Sequence, residues 1–153
     1  MDHKALIEQF YTAFAHADAE TMVACYALGI VFEDPAFGRL EGVAAADMWR
    51  MLVKPGLRLT FDRVWAEGDK GGAHWEARYR FSQTGRTVVN RIEASFVFRD
   101  GKIVQHTDRF DFYRWSRQAL GLPGWLLGWT PYLKQKVRQQ ALRKLQQFQA
   151  SQS

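Results

Sequence analysis

The chain has one cysteine, four prolines and no long hydrophobic run, and these shortages exclude several classes of protein. Because Cys25 has no second cysteine to pair with, a scaffold held by intrachain disulfides is excluded. No apolar run approaches the roughly 20 residues that a membrane-spanning helix needs. The first residues also lack the basic region and apolar stretch of a signal peptide. We therefore expect a cytoplasmic protein.

Acidic residues are missing from one part of the chain, the segment from Arg114 to the end. That segment has a charge of +7, against +5 for the whole chain, which leaves −2 for residues 1–113. A protein that is basic throughout is typical of nucleic-acid binding. This chain instead combines a slightly acidic domain with a basic tail, and we predict no nucleic-acid partner.

The order of helical and strand patterns predicts an α+β domain over residues 1–115. With 153 residues, 47% of them hydrophobic, the chain can build one ordered core. Apolar spacing predicts helices over about residues 3–16, after Asp18 and over 43–53, with a short strand over 30–34. Four strands then follow, from about residue 57 to 113, and Asp100-Gly101 is a strong hairpin signal between the last two. Helices followed by an antiparallel meander indicate the α+β class.

Residues 116–153 are predicted to form a basic helical extension of that domain. After an apolar connector broken by glycines, Thr130-Pro131 supplies the cap and first-turn proline that begin a helix. The helix has one apolar stripe, formed by Leu133, Val137, Ala141, Leu145 and Phe148.

Two interpretations of this extension remain open. The stripe packs on the domain or on a dimer mate, with Trp125, Leu126 and Trp129 over the mouth of a pocket; this is the commoner arrangement. Alternatively, residues 125–148 lie on an anionic membrane surface, because basic residues and tryptophans accompany the stripe.

Five ionisable residues lie in segments that are otherwise aromatic and β-branched: Asp34, His74, Glu76, His106 and Asp108. His74 and Glu76 are two residues apart, as are His106 and Asp108, and residues two apart on a strand point to the same face. Burying a carboxylate is costly unless it is paired or hydrogen-bonded. If both pairs turn inward, the domain contains a polar pocket.

Two segments of the chain resemble a known family. One is the run from Ile30 to Pro35, followed by Gly38, Gly42 and a helix, and the other is the hairpin over residues 96–103. Both resemble the SnoaL-like family of the nuclear transport factor 2-like superfamily. The resemblance covers about residues 5–115. It implies a cystatin-like cone, in which a curled antiparallel sheet packs on N-terminal helices and a ligand pocket opens at the mouth. It also implies a homodimer, as in many relatives. The superfamily contains isomerases, hydrolases, cyclases and non-catalytic binders, so it implies no single reaction.

Ketosteroid isomerases, which belong to this superfamily, resemble residues 31–35, and their catalytic aspartate falls on Asp34. Their oxyanion-hole positions fall on Phe10 and on Ala94, or on Glu93 if the hairpin is aligned without a gap. We prefer Ala94, because it then faces inward with the apolar residues of its strand. Phe10 and Ala94 cannot donate a hydrogen bond to an enolate, so the resemblance does not favour steroid isomerisation.

Limonene-1,2-epoxide hydrolase resembles the segment 108–111. Its strand arginine and aspartate fall on His74 and Glu76, and its water-holding tyrosine and asparagine on Phe32 and Asp34. Only Asp108 is unchanged. We therefore predict a hydrolase or isomerase acting on an oxygenated hydrophobic molecule, with Asp108 as base and Glu76 as acid or orienting partner.

In this prediction Asp34, His74 and His106 complete the catalytic set. The predicted ligand-binding residues are Phe10, Phe14, Phe32, Trp49, Asn90, Phe96, Phe98 and Phe110. The alternative is a non-catalytic binding or interaction module, because such histidine–carboxylate pairs are also found in structural networks. No cofactor is expected, and the spacing of the histidines and carboxylates does not favour a metal site. The expected partner is a small apolar or oxygenated molecule.

Overall fold

The computed structural model describes residues 2–152, which form six helices and six strands. The helices are α1 (His3–Ala15), α2 (Ala19–Ala24), α3 (Val43–Leu52), α4 (Phe112–Leu120), α5 (Leu122–Leu127) and α6 (Pro131–Ser151). The strands are β1 (Tyr26–Asp34), β2 (Gly38–Glu41), β3 (Arg58–Glu67), β4 (Lys70–Arg80), β5 (Thr87–Arg99) and β6 (Lys102–Arg109).

All six strands join in one sheet with the order β2-β1-β6-β5-β4-β3. The pairs are antiparallel except for β1 and β6, which run parallel. The parallel pair arises because the chain crosses to β3 at the far edge and returns strand by strand to β1. The α+β class and the curled sheet are as predicted from the sequence, whereas the expected antiparallel pairing is wrong for this one pair.

Helices α1 and α3 pack against the sheet and form the core with it. The carboxylate of Asp2 caps α1 by accepting a hydrogen bond from the Ala5 N–H at 2.6 Å, and α1 places Phe10 in the core. The Phe10 ring meets the rings of Trp49 on α3 and Phe96 on β5, with centroids 5.9 and 6.3 Å away. Aromatic contacts between three elements therefore form part of the main core.

Several turn and cap predictions are confirmed. Asp18 caps α2 through the Thr21 N–H at 3.1 Å, and Thr130 caps α6 ahead of Pro131. Asp100-Gly101 forms the turn between β5 and β6 with positive φ angles at both residues, as a two-residue hairpin turn requires.

Three local predictions are wrong. Strand β2 is absent from the predicted elements, and β1 begins at Tyr26 instead of near residue 30. The last strand ends at Arg109, and helices α4 and α5 replace the expected strand end and connector. Asp111 explains the early stop, because its side chain accepts a hydrogen bond from the Arg114 N–H at 3.1 Å and begins α4.

Helix α6 packs along the domain through its apolar stripe. Leu145 is buried in the main core, and the Gln149 amide donates a hydrogen bond to Asp47 on α3 at 3.1 Å. The expectation that Trp125, Leu126 and Trp129 cover the pocket mouth is wrong, because all three side chains are exposed and none of them lines the pocket. In residues 2–152, no helix has the length and apolar character needed to cross a membrane.

Candidate active site

A cavity of about 610 Å³ lies between the concave face of the sheet, α3 and α6. Its size is in the range of sites for small molecules. Most of the wall is apolar, and the polar or charged side chains that face it from the sheet include Asp34, Asn90, Asp108 and Tyr79. The cavity therefore combines an apolar volume with two carboxyl groups.

Strand β1 and the turn after it position Asp34. Asp34 has the same strand parity as the buried residues Ile30 and Phe32, so its side chain turns inward. Its Oδ1 accepts hydrogen bonds from the N–H groups of Ala36 and Phe37, at 3.0 and 2.6 Å. Both of these bonds use Oδ1, which leaves Oδ2 available to a molecule in the cavity.

Burial raises the pKa of Asp34 from 3.8 to about 7. The negative charge of Asp108 adds to the rise, whereas the turn N–H groups and the Arg138 guanidinium lower the pKa. At neutral pH a large fraction of Asp34 is therefore protonated. A carboxyl group in that condition can donate a proton to a bound molecule.

Asp108 ends a chain of buried hydrogen bonds. Its Oδ1 lies 2.8 Å from His106 Nε2 and 3.4 Å from Trp75 Nε1. On the other side of the ring, His106 Nδ1 lies 2.7 Å from the Tyr26 hydroxyl, which also accepts a hydrogen bond from Trp49 Nε1 at 2.8 Å. Because Tyr26 accepts from the indole, its own proton is free to go to Nδ1, and Nε2 then carries the hydrogen that it donates to Asp108.

This direction of donation satisfies every group in the chain. Burial raises the pKa of Tyr26 well above its ordinary value, so the hydroxyl keeps the proton that it donates to His106. Asp108 lines the cavity, whereas His106 and Tyr26 lie behind it and are buried. His106 and Tyr26 therefore hold Asp108 in position and do not reach a bound molecule themselves.

His74 and Glu76 lie on the outer face of β4, so the prediction that they share the cavity with Asp108 is wrong. His74 Nδ1 lies 2.9 Å from Asp62 Oδ1, and Glu76 Oε1 lies 2.7 Å from Arg91 Nε. Both pairs are cross-strand contacts on the solvent side of the sheet.

The pairing of β4 with β5 explains the orientation. Trp75 is directly opposite Ile92, and Ala73 is opposite Ala94. Residues opposite each other in antiparallel strands point to the same face. Since Ile92 and Ala94 belong to the core, Trp75 must also point inward, and its neighbours on either side must point outward. The inward placement of Ala94 is as predicted.

The predicted lining is correct in part. Phe14, Trp49, Asn90 and Phe110 line the cavity. Phe10, Phe32, Phe96 and Phe98 do not line it and are buried in the core. The aromatic rings of α1 and β5 fill that part of the cone, since the Phe96 ring lies 6.3 Å from the Phe10 ring and 4.5 Å from the His106 ring.

Sequence reasoning missed two groups that the structure brings to the site. Trp75 and Tyr79 face the cavity from β4, and the Tyr79 hydroxyl accepts a hydrogen bond from the Trp115 indole at 2.8 Å. Their signal was the apolar alternation of β4, in which every second residue from Ala73 to Tyr79 is apolar. In residues 2–152, no group of three or more histidine, cysteine, aspartate and glutamate side chains is arranged to hold a metal ion.

Residues 7–106 match the model of a protein family described as the SnoaL-like domain. The chain belongs to the SnoaL-like family. No curated protein matches this SnoaL-like chain.

Three solved structures illustrate the likeness of this SnoaL-like protein. An LEH-like epoxide hydrolase from M. tuberculosis is 24% identical, with a TM-score of 0.64 over 80% of this chain and 93% of that one. A candidate polyketide cyclase from Xanthomonas campestris pv. campestris is 23% identical, with a TM-score of 0.62 over 74% and 93%. A protein with a ketosteroid isomerase-like fold from Catenulispora acidiphila is 15% identical, with a TM-score of 0.66 over 82% and 97%. At these identities the likeness shows the fold alone.

Proposed function

We propose that this SnoaL-like protein is a hydrolase of an oxygenated hydrophobic molecule, and that it adds water to an epoxide. Asp34 acts as general acid and Asp108 as general base. The observation that carries the proposal is that these two carboxyl groups face one apolar cavity from different surroundings. Two carboxyl groups held in unlike environments can take the acid and the base roles at the same pH.

Asp34 supplies the proton for the leaving oxygen. Its raised pKa of about 7 keeps much of it protonated near neutral pH, and its Oδ2 is the oxygen that its own turn does not use. Opening an epoxide leaves an alkoxide, which needs a proton as the C–O bond breaks. The proton passes from Asp34 to that oxygen.

Asp108 activates the water. Its Oδ1 accepts from His106 and Trp75, which leaves Oδ2 for a water molecule in the cavity. The water loses a proton to Asp108 as its oxygen forms the new C–O bond. The product is a diol, with Asp34 ionised and Asp108 protonated. The starting state returns when Asp108 gives one proton to solvent and Asp34 takes one proton from solvent.

The acid role moves from Glu76, where the sequence placed it, to Asp34. Glu76 pairs with Arg91 at 2.7 Å on the outer face of the sheet. A general acid must reach its substrate within hydrogen-bond distance, directly or through one water. Glu76 cannot meet that condition from outside the cone.

Turnover of a panel of apolar epoxides by the purified protein tests this proposal. We expect Asp108→Asn and Asp34→Asn each to lower kcat by roughly 10²–10⁴-fold, the usual contribution of a general acid or base. Glu76→Gln is the matched control, because it makes the same chemical change on the outer face, and we expect no change in turnover. For the wild type, kcat/KM falls above about pH 7 as Asp34 loses its proton.

A non-catalytic carrier is the second candidate, since the apolar wall formed by residues such as Phe14, Trp49 and Phe110 suits binding without reaction. Binding of an apolar fluorescent dye separates the two. Tight binding that Asp108→Asn leaves unaltered, together with no turnover of any epoxide or enone, establishes the carrier and refutes the enzyme. A loss of turnover in Glu76→Gln equal to that in Asp108→Asn contradicts the assignment of the acid.

A further inference from the structure

Helix α5 exposes its large apolar side chains and buries its glycines, the reverse of the usual arrangement. Gly124 and Gly128 face Ser116 on α4, and a methyl group at either glycine would collide with that serine. The opposite side of the helix and the turn after it form a surface that we call the α5 patch: Leu122, Trp125, Leu126, Leu127, Trp129 and Tyr132. Within it, 62% of Leu126 and 74% of Trp129 are exposed.

The size and composition of the α5 patch set it apart from scattered surface residues. Six large apolar or aromatic residues lie within 11 consecutive positions, and all of them are exposed. Single exposed leucines are common on soluble proteins, but contiguous apolar surface marks a place where another surface is bound. Tryptophan and tyrosine in particular concentrate where one surface is apolar and the other is wet.

Cations surround the α5 patch. The Arg117 guanidinium lies over the ring of Trp125 at 4.5 Å, and the Lys136 ammonium lies 5.5 Å from the ring of Tyr132. Lys134 is also exposed, on the first turn of α6. From residue 112 to residue 152 the chain has seven lysines and arginines and no acidic residue. The surface that complements this one is therefore both apolar and negatively charged.

We propose that the α5 patch binds the surface of a membrane that contains anionic lipids. Trp125, Leu126 and Trp129 enter the boundary between the headgroups and the acyl chains, and Arg117 and Lys136 lie at the level of the phosphates. This combination of exposed apolar side chains with adjacent cations is the one by which interfacial helices bind anionic bilayers.

The binding surface is α5 and not the apolar stripe of α6. Leu133 and Leu145 of that stripe are buried against the rest of the protein and have no free surface to offer a membrane. A second copy of the chain is a poorer occupant of the patch, because a two-fold contact would place two positively charged surfaces, each with Arg117, Lys134 and Lys136, against each other. The homodimer expected from the sequence stays a prediction and needs another face.

Cosedimentation with lipid vesicles tests the proposal on the full chain. We expect the wild type to sediment with vesicles of phosphatidylcholine and phosphatidylglycerol, but weakly with phosphatidylcholine alone. The double variant Leu126→Glu, Trp129→Glu should lose this binding, because two carboxylates would enter the headgroup region. Replacing Lys134 and Lys136 by glutamine should weaken binding by roughly fivefold for each cation removed.

Leu28→Glu is the control for a carboxylate placed on an exposed leucine, since Leu28 is 99% exposed on β1 and is not part of the α5 patch. We expect it to bind vesicles like the wild type. Circular dichroism melts of all variants show whether they are folded. The proposal is overturned if folded wild type stays in the supernatant with anionic vesicles, or if Leu28→Glu loses as much binding as the double variant. It is also overturned if the wild type is a dimer that does not bind vesicles and the double variant is a monomer. The α5 patch would then be a contact between two copies of the chain.

Discussion

The pH dependence of folding tests the burial of Asp34 most directly. Burial raises its pKa from 3.8 to about 7. Between those pH values the folded protein keeps a proton that the unfolded chain releases, so the free energy of unfolding falls as pH rises. The two pKa values differ by about 3, and each pH unit in this window removes about 1.4 kcal/mol. Asp34 therefore lowers the stability of the wild type by roughly 4 kcal/mol between about pH 4 and pH 7.

The variant Asp34→Asn isolates this contribution. The amide oxygen can still accept the hydrogen bonds from Ala36 and Phe37, but the side chain has no proton to lose. Urea unfolding of both proteins at several pH values gives the difference in their free energies of unfolding, in which the titrating groups that do not interact with Asp34 cancel. We expect a difference near zero at pH 4 and a variant more stable by roughly 4 kcal/mol at pH 8.

Asp111→Asn is the control for the substitution itself. Asp111 also accepts a backbone hydrogen bond, at 3.1 Å from the Arg114 N–H, but it is an exposed helix cap. Asparagine and aspartate are about equally good caps, so we expect a change of less than about 1 kcal/mol. A constant difference between Asp34→Asn and the wild type from pH 4 to pH 8 refutes the burial argument. The burial argument is also refuted if the wild type becomes more stable than Asp34→Asn as pH rises, since Arg138 would then hold Asp34 ionised.

Three further predictions concern packing. Tyr26→Phe should lower the free energy of unfolding by about 1–3 kcal/mol, because it leaves the buried His106 and Trp49 nitrogens without their hydrogen-bond partner. Tyr11→Phe is its matched control, because the Tyr11 hydroxyl has no partner in the described part of the chain. It should leave the free energy of unfolding unchanged or raise it by up to about 1 kcal/mol. Gly124→Ala should lower the free energy of unfolding by about 1–3 kcal/mol, because the new methyl group meets Ser116 on α4. Gly29→Ala should change it by less than about 0.5 kcal/mol, because there is open space around Gly29. Leu145→Ala should cost about 2–5 kcal/mol if α6 belongs to the core. Urea unfolding at one pH measures the free energy change for each of these variants. The packing described is contradicted if the tyrosine variants have equal effects, if the two glycine variants have equal effects, or if Leu145→Ala leaves stability unchanged.

Strand β4 shows what the sequence could predict and how the prediction failed. Ala73, Trp75, Ala77 and Tyr79 alternate with His74, Glu76 and charged residues, so the apolar set alone predicts which face turns inward. The prediction gave more weight to the chemistry of His74 and Glu76 than to this alternation. Burying a tryptophan stabilises the fold by far more than an exposed ion pair does, so the apolar set decides the face.

Strand β6 shows the opposite case. Alternation counted from the buried Ile103 would have turned His106 and Asp108 outward. Instead, the register with β5 shifts between Ile103 and Gln105, so Val104 is an extra residue that reverses the parity of the rest of the strand. Nothing in the sequence marks this bulge. The correct orientation of Asp108 was therefore available from the family resemblance and not from the pattern of the strand.

The segment after β6 could not be predicted for a different reason. Residues 109–128 are apolar enough to fit a strand end and a connector, and only Asp111 signals a helix start. The exposed leucines and tryptophans of the α5 patch also contradict the rule that apolar residues indicate burial. A sequence pattern cannot show that small residues occupy the packed side.

The parallel pairing of β1 with β6 has a consequence for assembly. Asp34 and Asp108 are separated by 74 positions in the chain, yet they reach the site from neighbouring strands. No contiguous fragment shorter than that span contains both aspartates. Bringing together residues so far apart in the chain is slow relative to the formation of local structure. In a refolding experiment, recovery of the proposed epoxide turnover should therefore trail the return of helical signal. A circular permutant opened between β4 and β5 should keep the pair, whereas peptides cut there must recombine to restore it.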